Sequence, residues 1–382
     1  MTERVWLQDH GDRPHMKINA AIARAAHSPF SMEEVDIEGP RADEVLVKIH
    51  GVGLCHTDLV ARDQFIPIPL PAILGHEGAG VVVAAGELVT KVNVGDRVVM
   101  SFASCGHCAR CDENLPSYCA SFPALNYSGR RPDGSSGISF NKVPISSSFF
   151  GQSSFASHAL TQERNVVKVE DSSLPLQILG PLGCGFQTGA GAIMRSLACV
   201  PGSIVCVFGG GPVGLAAIMG ASIKSCATII LVEPIAARRA MARSLGATHL
   251  IDPAAGPVGD AIRSIVPAGV DYALDTSGRE EVVMTALGAL GSHGLLGLVG
   301  VPPRPESAIS VNLASLITFG HRIHGIIEGD SDLDRFIPEL LDHFKAGRFP
   351  FDRLVKTYPI DQINEAVEAQ LRGDCIKAVL IP

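Results

Sequence analysis

An apolar, β-branched run, Ile204-Val-Cys-Val-Phe208, is followed at once by Gly209-Gly-Gly211-Pro212-Val213-Gly214 and then by a helical stretch. The run reads as a buried strand. The glycines form the G-x-G-x-x-G pattern in the strand-to-helix context that gives it meaning. Gly209 permits the tight turn, Gly211 lets the backbone approach a pyrophosphate, and Gly214 lets helix and strand pack closely. The helix N-terminus favours the phosphate charge. In a chain with 40 glycines the pattern alone is weak; its setting strengthens it.

The same rhythm continues. Thr228-Ile-Ile-Leu-Val232 is the next strand, and Ala236 to Leu245 reads as a helix closed by Gly246. His249–Ile251, Tyr272–Leu274 and Gly294–Val299 supply further strands. Alternating β and α segments imply a parallel, doubly wound sheet. Glu233 ends the second strand, at about the distance of a ribose-binding acid from the loop. A carboxylate there accepts hydrogen bonds from an adenosine 2′-OH and repels a 2′-phosphate, which predicts NAD over NADP. Arg238 tempers this by placing a cation nearby, and an ordinary solvated acid is the plain alternative.

The first third differs. Val45–Ile49, Gly80–Ala84 and Arg97–Met100 are short, rich in β-branched residues and bounded by turn formers, which suggests an antiparallel, barrel-like domain. After about Ile327 come a helical run, Asp332 to Lys345, and a strand, Lys377–Ile381. At 382 residues the chain exceeds what one core serves, so two domains are expected. The net charge of −8 and the lack of a basic block argue against nucleic acid and anionic membrane surfaces. Glycines interrupt the longest apolar stretch, Ile204 to Ala221, so no segment reads as a membrane span. Met1 to Lys17 lacks a secretory pattern, and a cytoplasmic protein is expected. Residues 1–15 read as an extension ahead of the first strand.

Five of the ten cysteines fall between Cys55 and Cys119. Cys105-Gly-His-Cys108-Ala-Arg-Cys111, followed by Cys119, offers four thiolates on one short segment. Four sulfurs close a tetrahedral zinc shell with no open position, so its role is structural. Two disulfides are the alternative, but regular two-residue gaps suit a metal loop. His107 reads as a surface residue. Cys55, His76 and Cys184 each stand in a distinctive glycine-flanked setting: Gly53-Leu-Cys-His-Thr-Asp58, Gly75-His-Glu-Gly78 and Gly183-Cys-Gly185. Singly, each is more often structural; together with the glycine loop they suggest more. Cys199, Cys206, Cys226 and Cys375 read as small hydrophobes.

Together these motifs resemble the zinc-containing medium-chain alcohol dehydrogenases, from about Met16 to the end. The runs Gly53–Val60, Ser148–Phe155 and Leu179–Gly185 look most like the aryl (benzyl) alcohol dehydrogenases. The resemblance implies a GroES-like β-rich catalytic domain over 1–185 and 328–382, and a Rossmann domain over 186–327. It makes Cys55, His76 and Cys184 catalytic zinc ligands, the Cys₂His set known in alcohol dehydrogenases, with one position open. Two zinc ions per chain follow. Glu77 resembles an acid close behind the metal, Asp58 the carboxylate that orients His76, and Thr57 the hydroxyl that takes the substrate proton. His56 and Lys377 match phosphate-contacting positions. Thr188 matches the residue packed on the nicotinamide, and Val299, Val301, Ile326 and Glu328 those that hold its carboxamide. Phe102, Phe149 and Phe150 match an apolar substrate wall, with plain core packing as the alternative. Many relatives place a histidine where Val60 stands, so the outer proton relay departs from the family. Ile66 replaces an acid of glutathione-dependent relatives.

The implied activity is the reversible oxidation of a primary aromatic or allylic alcohol with NAD⁺. Ser121–Ser148 resembles the loop of dimeric members, so a homodimer is expected, with a homotetramer as the alternative. Two competing classes are a zinc-free medium-chain reductase and a non-catalytic nucleotide-binding protein. Neither calls for both cysteine sets with Thr57.

Overall fold

The computed structural model describes residues 15–382. The expected N-terminal extension lies outside them, except His15, which opens the first strand. The chain divides into two compact units: residues up to Cys184 together with Val355–Pro382, and Gly185–Leu354.

The first unit is built on Glu44–Gly53, a strand buried along most of its length. It pairs antiparallel with Gly78–Ala85, His158–Gln162 and Lys377–Ile381. Arg97–Met100 and Val166–Lys168 extend one side of this sheet, and Val355–Pro359 the other. A second antiparallel sheet joins Ala72–Ile73, His15–Ala23, Ser31–Glu38, Ile138–Phe140 and Val143–Pro144 in that order. The pairing of Val379 with Gly53 brings the C-terminal strand beside the residues that lead into Cys55. Arg131 is buried between the carboxylates of Glu44 and Glu38, at 2.7 and 2.9 Å.

The second unit holds a six-stranded sheet in which every pair is parallel. Its order is His249–Ile251, Thr228–Val232, Ile204–Phe208, Val270–Asp275, Leu290–Leu298, Arg322–Gly325. This is the doubly wound order, with the first strand central. Phe208, Ile230, Ala273 and Leu296 pack with Ile262, Val283 and Ala286 as the core of one face. The helix Pro212–Ile223 is buried from Gly214 through Ala221, and it packs against the helix Gly185–Gly191. A Cβ at Gly189 would lie 1.9 Å from the Val213 carbonyl oxygen, so only glycine allows that approach.

Residues 328–354, expected with the first domain, fold with the second unit instead. Gln187 Nε2 and Thr188 Oγ1 donate to the Glu328 carboxylate at 3.2 and 3.4 Å. Phe186 and Phe344 both pack on Phe351. No helix among the described residues is long and apolar enough to cross a membrane.

Candidate metal centres and nucleotide loop

Cys55 is the N-cap of the short helix His56–Arg62, and Asp58 sits in its first turn. Asp58 Oδ2 accepts from the Cys55 amide at 2.8 Å. Its other oxygen accepts from the Gly75 amide at 3.0 Å and from His76 Nδ1 at 2.8 Å. One buried carboxylate therefore fixes both the turn carrying Cys55 and the imidazole of His76. A carboxylate only accepts, so Nδ1 carries a proton, and in the neutral ring Nε2 presents its lone pair. His76 Nε2 is buried and has no hydrogen-bond partner.

The rest of the frame is equally local. Gln152 Nε2 donates to the His76 and Ser101 carbonyls at 2.9 and 3.1 Å. Ser101 Oγ donates to the Gly183 carbonyl at 2.5 Å, next to Cys184. A Cβ at Gly183 would lie 1.9 Å from the Met100 carbonyl, and one at Gly53 would lie 1.9 Å from Glu77 Oε2. Those two glycines let the segments bearing Cys184 and Cys55 close in. As a result Cys55, His76, Glu77 and Cys184 each offer a donor atom within 4.8 Å of the others.

The electrostatics favour a cation. A hydrogen bond from Cys184 and the nearby His76 hold the Cys55 thiol well below its ordinary range, against the opposing effect of burial. Burial disfavours charge on His76, yet Asp58 and Cys55 raise it well above the usual imidazole range. An orphaned imidazole nitrogen among thiolates fits zinc, whose Cys and His ligands bind deprotonated.

Thr57 Oγ1 lies 3.6 Å from Cys55 Sγ, beside this cluster, and His56 is exposed at the helix start. Lys377 differs from expectation. Instead of reaching for a phosphate, its Nζ is buried, 2.5 Å from Glu77 Oε2 and 3.0 Å from the Leu54 carbonyl. Burial pushes the Glu77 carboxyl up to about 7 even though Lys377 opposes the shift.

Phe150 stacks on the His76 ring at 4.5 Å, and Phe149 meets it edge-on at 5.4 Å. Phe150 has φ of 50°, rare for a bulky residue. Phe102 packs on Phe122, 5.7 Å away, which in turn lies 6.2 Å from Phe150. Tyr127 completes the aromatic set, 5.6 Å from Phe150. Phe122 and Tyr127 escape sequence reasoning because they open and close a helix of only six residues, Phe122–Tyr127, too short to show an apolar periodicity.

Cys105, Cys108, Cys111 and Cys119 also place their sulfurs within 4.8 Å of one another. Closest approaches of 3.6 to 4.0 Å exclude disulfides, and all four are free thiols. Zn–S bonds of about 2.3 Å imply sulfurs roughly 3.8 Å apart in a tetrahedron. Backbone amides of Cys105, Gly106, Ala120 and Ser121 donate to these sulfurs at 3.2 to 3.5 Å. The Ala120 amide and the Cys111 contacts bring Cys108 down to about 6. His107 is exposed, as expected.

In the second unit Gly209 has φ of 101°, a turn that glycine adopts freely. A Cβ at Gly211 would meet nothing within 4 Å, whereas one at Gly214 would lie 1.9 Å from the Gly209 carbonyl. Pro212 and Val213 open the helix after the Gly211 N-cap. Glu233 is buried and accepts from the Gly210 amide at 2.5 Å and the Ile235 amide at 2.8 Å. It thus ties the loop to the end of the neighbouring strand. Arg239 grips the Glu233 carbonyl at 2.6 Å and Asp252 at 2.7 Å, while the Nε of Arg238 has no partner. Val299 and Val301 follow the end of the strand Leu290–Leu298, and Ile326 the end of Arg322–Gly325. Glu328 and Thr188 meet through their hydrogen bond.

Comparison with known proteins agrees with this geometry. Residues 41–171 match the model of the alcohol dehydrogenase GroES-like domain, and residues 212–345 match that of the zinc-binding dehydrogenase. A geraniol dehydrogenase of Castellaniella defragrans is 48% identical over 364 residues, spanning 95% of this chain and 97% of the relative. Among solved structures, an alcohol dehydrogenase zinc-binding domain protein from Burkholderia ambifaria superposes with a TM-score of 0.94 at 48% identity, over 96% of this chain and all of that one. Benzyl alcohol dehydrogenase from Acinetobacter calcoaceticus superposes with a TM-score of 0.92 at 40% identity, over 96% and 99% of the two chains. On this likeness along nearly its whole length, the chain belongs to the zinc-dependent medium-chain alcohol dehydrogenases.

Proposed function

We propose that this alcohol dehydrogenase holds two zinc ions, uses NAD, and interconverts a primary alcohol bearing an aromatic or allylic group with its aldehyde. In this reading the first unit carries both metals and the second the nucleotide. The observation that carries it is the buried, unpartnered His76 Nε2 set among Cys55, Cys184 and the ring of Phe150. The relatives named for geraniol, an allylic alcohol, and for benzyl alcohol support the substrate class.

Cys55, His76 and Cys184 would hold one zinc, and Cys105, Cys108, Cys111 and Cys119 the other. Bound there, the first ion supplies Lewis acidity toward the alcohol oxygen, and the nicotinamide supplies the hydride acceptor. Asp58 keeps His76 in the tautomer that leaves Nε2 free. Thr57 takes the hydroxyl proton at Oγ1 and passes it outward. Val60 cannot accept it, so the proton leaves through His56 or the nucleotide ribose. Phe149 and Phe150 exclude water and offer ring faces and edges to a flat substrate. Gly209, Gly211 and Gly214 shape the turn that receives the pyrophosphate, and Glu233 receives the adenosine ribose. Thr188, Val299, Val301, Ile326 and Glu328 line the nicotinamide side of the second unit.

Steady-state turnover of benzyl alcohol, geraniol and ethanol with NAD⁺ and with NADP⁺ tests the reading. Higher kcat/KM for the first two with NAD⁺ is expected; a preference for ethanol or for NADP⁺ overturns it. Cys184→Ala separates the metal role from a structural one, because it is expected to abolish turnover while NAD binding persists.

A further inference from the structure

Four hydrogen bonds converge on the buried side-chain amide of Gln152. Its Nε2 donates to the His76 carbonyl at 2.9 Å and to the Ser101 carbonyl at 3.1 Å. Its Oε1 accepts from the Gly78 amide at 3.1 Å and from the Ser154 hydroxyl at 2.9 Å. Both donors and both acceptor positions of the amide are then filled. The reverse orientation would turn its NH₂ toward the Gly78 N–H and its oxygen toward two carbonyls, so the amide fits one way round. A Cβ at Gly78 would lie 3.1 Å from Gln152 Oε1 and 2.9 Å from Ser154 Cβ, and the glycine leaves that room.

The turn that carries Gln152 is strained. Phe150, Gly151 and Ser153 have φ of 50°, 65° and 50°. Such left-handed residues persist only where the surroundings over-determine them. Here the amides of Gln152 and Ser153 both donate to the Phe149 carbonyl, at 3.1 and 3.0 Å. The Ser153 hydroxyl accepts from the Phe149 amide at 2.9 Å and donates to the Ile73 carbonyl at 2.6 Å. The Ser154 and Phe155 amides donate to the Gly75 and Leu74 carbonyls, each at 2.9 Å. The turn is therefore tied to the chain before His76, at His76 itself and at Gly78 just after it. In that state the Phe150 ring lies 4.5 Å from the His76 ring, with 24° between their planes.

We propose that Gln152 is a positioning residue, which sets the Phe150 ring on His76 and thereby the preference between flat and small saturated alcohols. It touches no reacting atom. Nε2 holds the backbone of His76, while Oε1 and the main chain hold the turn that bears Phe150. The ring then keeps one place relative to the imidazole, and a flat substrate meets an aromatic surface that is already aligned. The effect on selectivity rests on the substrate reading given above; the effect on the ring does not.

The test uses zinc-loaded full chains carrying Gln152→Glu, which keeps the length and an acceptor for Gly78 and Ser154 but removes the two donors. Gln152→Met serves if the buried carboxylate prevents folding. Each change is made in the wild type and in Phe150→Ala. Crystal structures read the ring, and kcat/KM per bound zinc is measured for benzyl alcohol and ethanol. The Phe150 ring is expected to leave the face of His76, and the ratio of benzyl alcohol to ethanol to fall about 10-fold. In the Phe150→Ala background the same change is expected to leave the ratio within about 2-fold, because the residue through which Gln152 acts is gone. A merely structural role would lower the thermal midpoint in both backgrounds without moving the ratio. A ring still stacked on His76 in the variant overturns the proposal, as does an unmoved ratio or one that falls equally in both backgrounds. A wild type that prefers ethanol sinks the substrate reading alone: the ring position, and the dependence of the ratio on Phe150, still decide for or against Gln152.

Discussion

His76 Nδ1 lies 2.8 Å from Asp58 Oδ1, both side chains wholly shielded from solvent, and the second Asp58 oxygen holds the Cys55 amide at 2.8 Å. Two of the proposed metal donors, 21 positions apart in the sequence, share one carboxylate. Asp58→Ala is expected to lower zinc affinity at this site about 10–100-fold. Metal analysis after dialysis against a chelator should then find the four-cysteine zinc retained and the other lost. Retention of both ions would mean that Asp58 does not support the site.

Thr57 stands beside Cys55 with its hydroxyl 3.6 Å from the sulfur. Thr57→Ala is expected to lower kcat by about 10²–10⁴-fold, the range for a lost proton-transfer group. Thr57→Ser keeps a hydroxyl in place and should recover much of the rate. Equal activity of the alanine and serine variants would remove Thr57 from the proton path.

Glu233 accepts from two backbone amides, one of them in the glycine loop. Glu233→Ala leaves the loop untied and removes the charge that disfavours a 2′-phosphate. NAD binding is expected to weaken by roughly 10-fold or more, the scale of a lost charge-assisted hydrogen bond. NADP binding should weaken less or improve. Isothermal titration with each nucleotide reads the difference directly.

Arg131 pairs with Glu44 through two hydrogen bonds, at 2.7 and 2.9 Å, among buried side chains. Arg131→Met strands the Glu44 charge. A loss of about 3–5 kcal/mol follows for breaking a buried pair by removing one partner, measured by denaturant unfolding of the zinc-loaded protein. A double variant that also carries Glu44→Leu should recover much of that stability.

The second unit was legible because its strands are short apolar runs that alternate with helical stretches. Ile204–Phe208, Thr228–Val232 and His249–Ile251 lie where the residue pattern puts them. The two cysteine sets were legible from residue type, and the structure brings each set together. Long-range pairing was not. Nothing near Lys377 signals that its strand lies against Gly53, which turns its ammonium to Glu77. Glu328 joins Gln187 across more than a hundred residues, so the end of the second unit was set too early. The left-handed backbone of Phe150, which puts its ring on His76, leaves no trace in composition either.

The central claim is that Cys55, His76 and Cys184 hold a metal ion with one position open to substrate. Anomalous diffraction at the zinc edge, on crystals of the zinc-loaded protein, tests it most directly. The account predicts two peaks per chain, one among the four clustered cysteines and one bounded by Cys55 Sγ, His76 Nε2 and Cys184 Sγ. A protein that turns over benzyl alcohol yet shows no peak between those three atoms would contradict it.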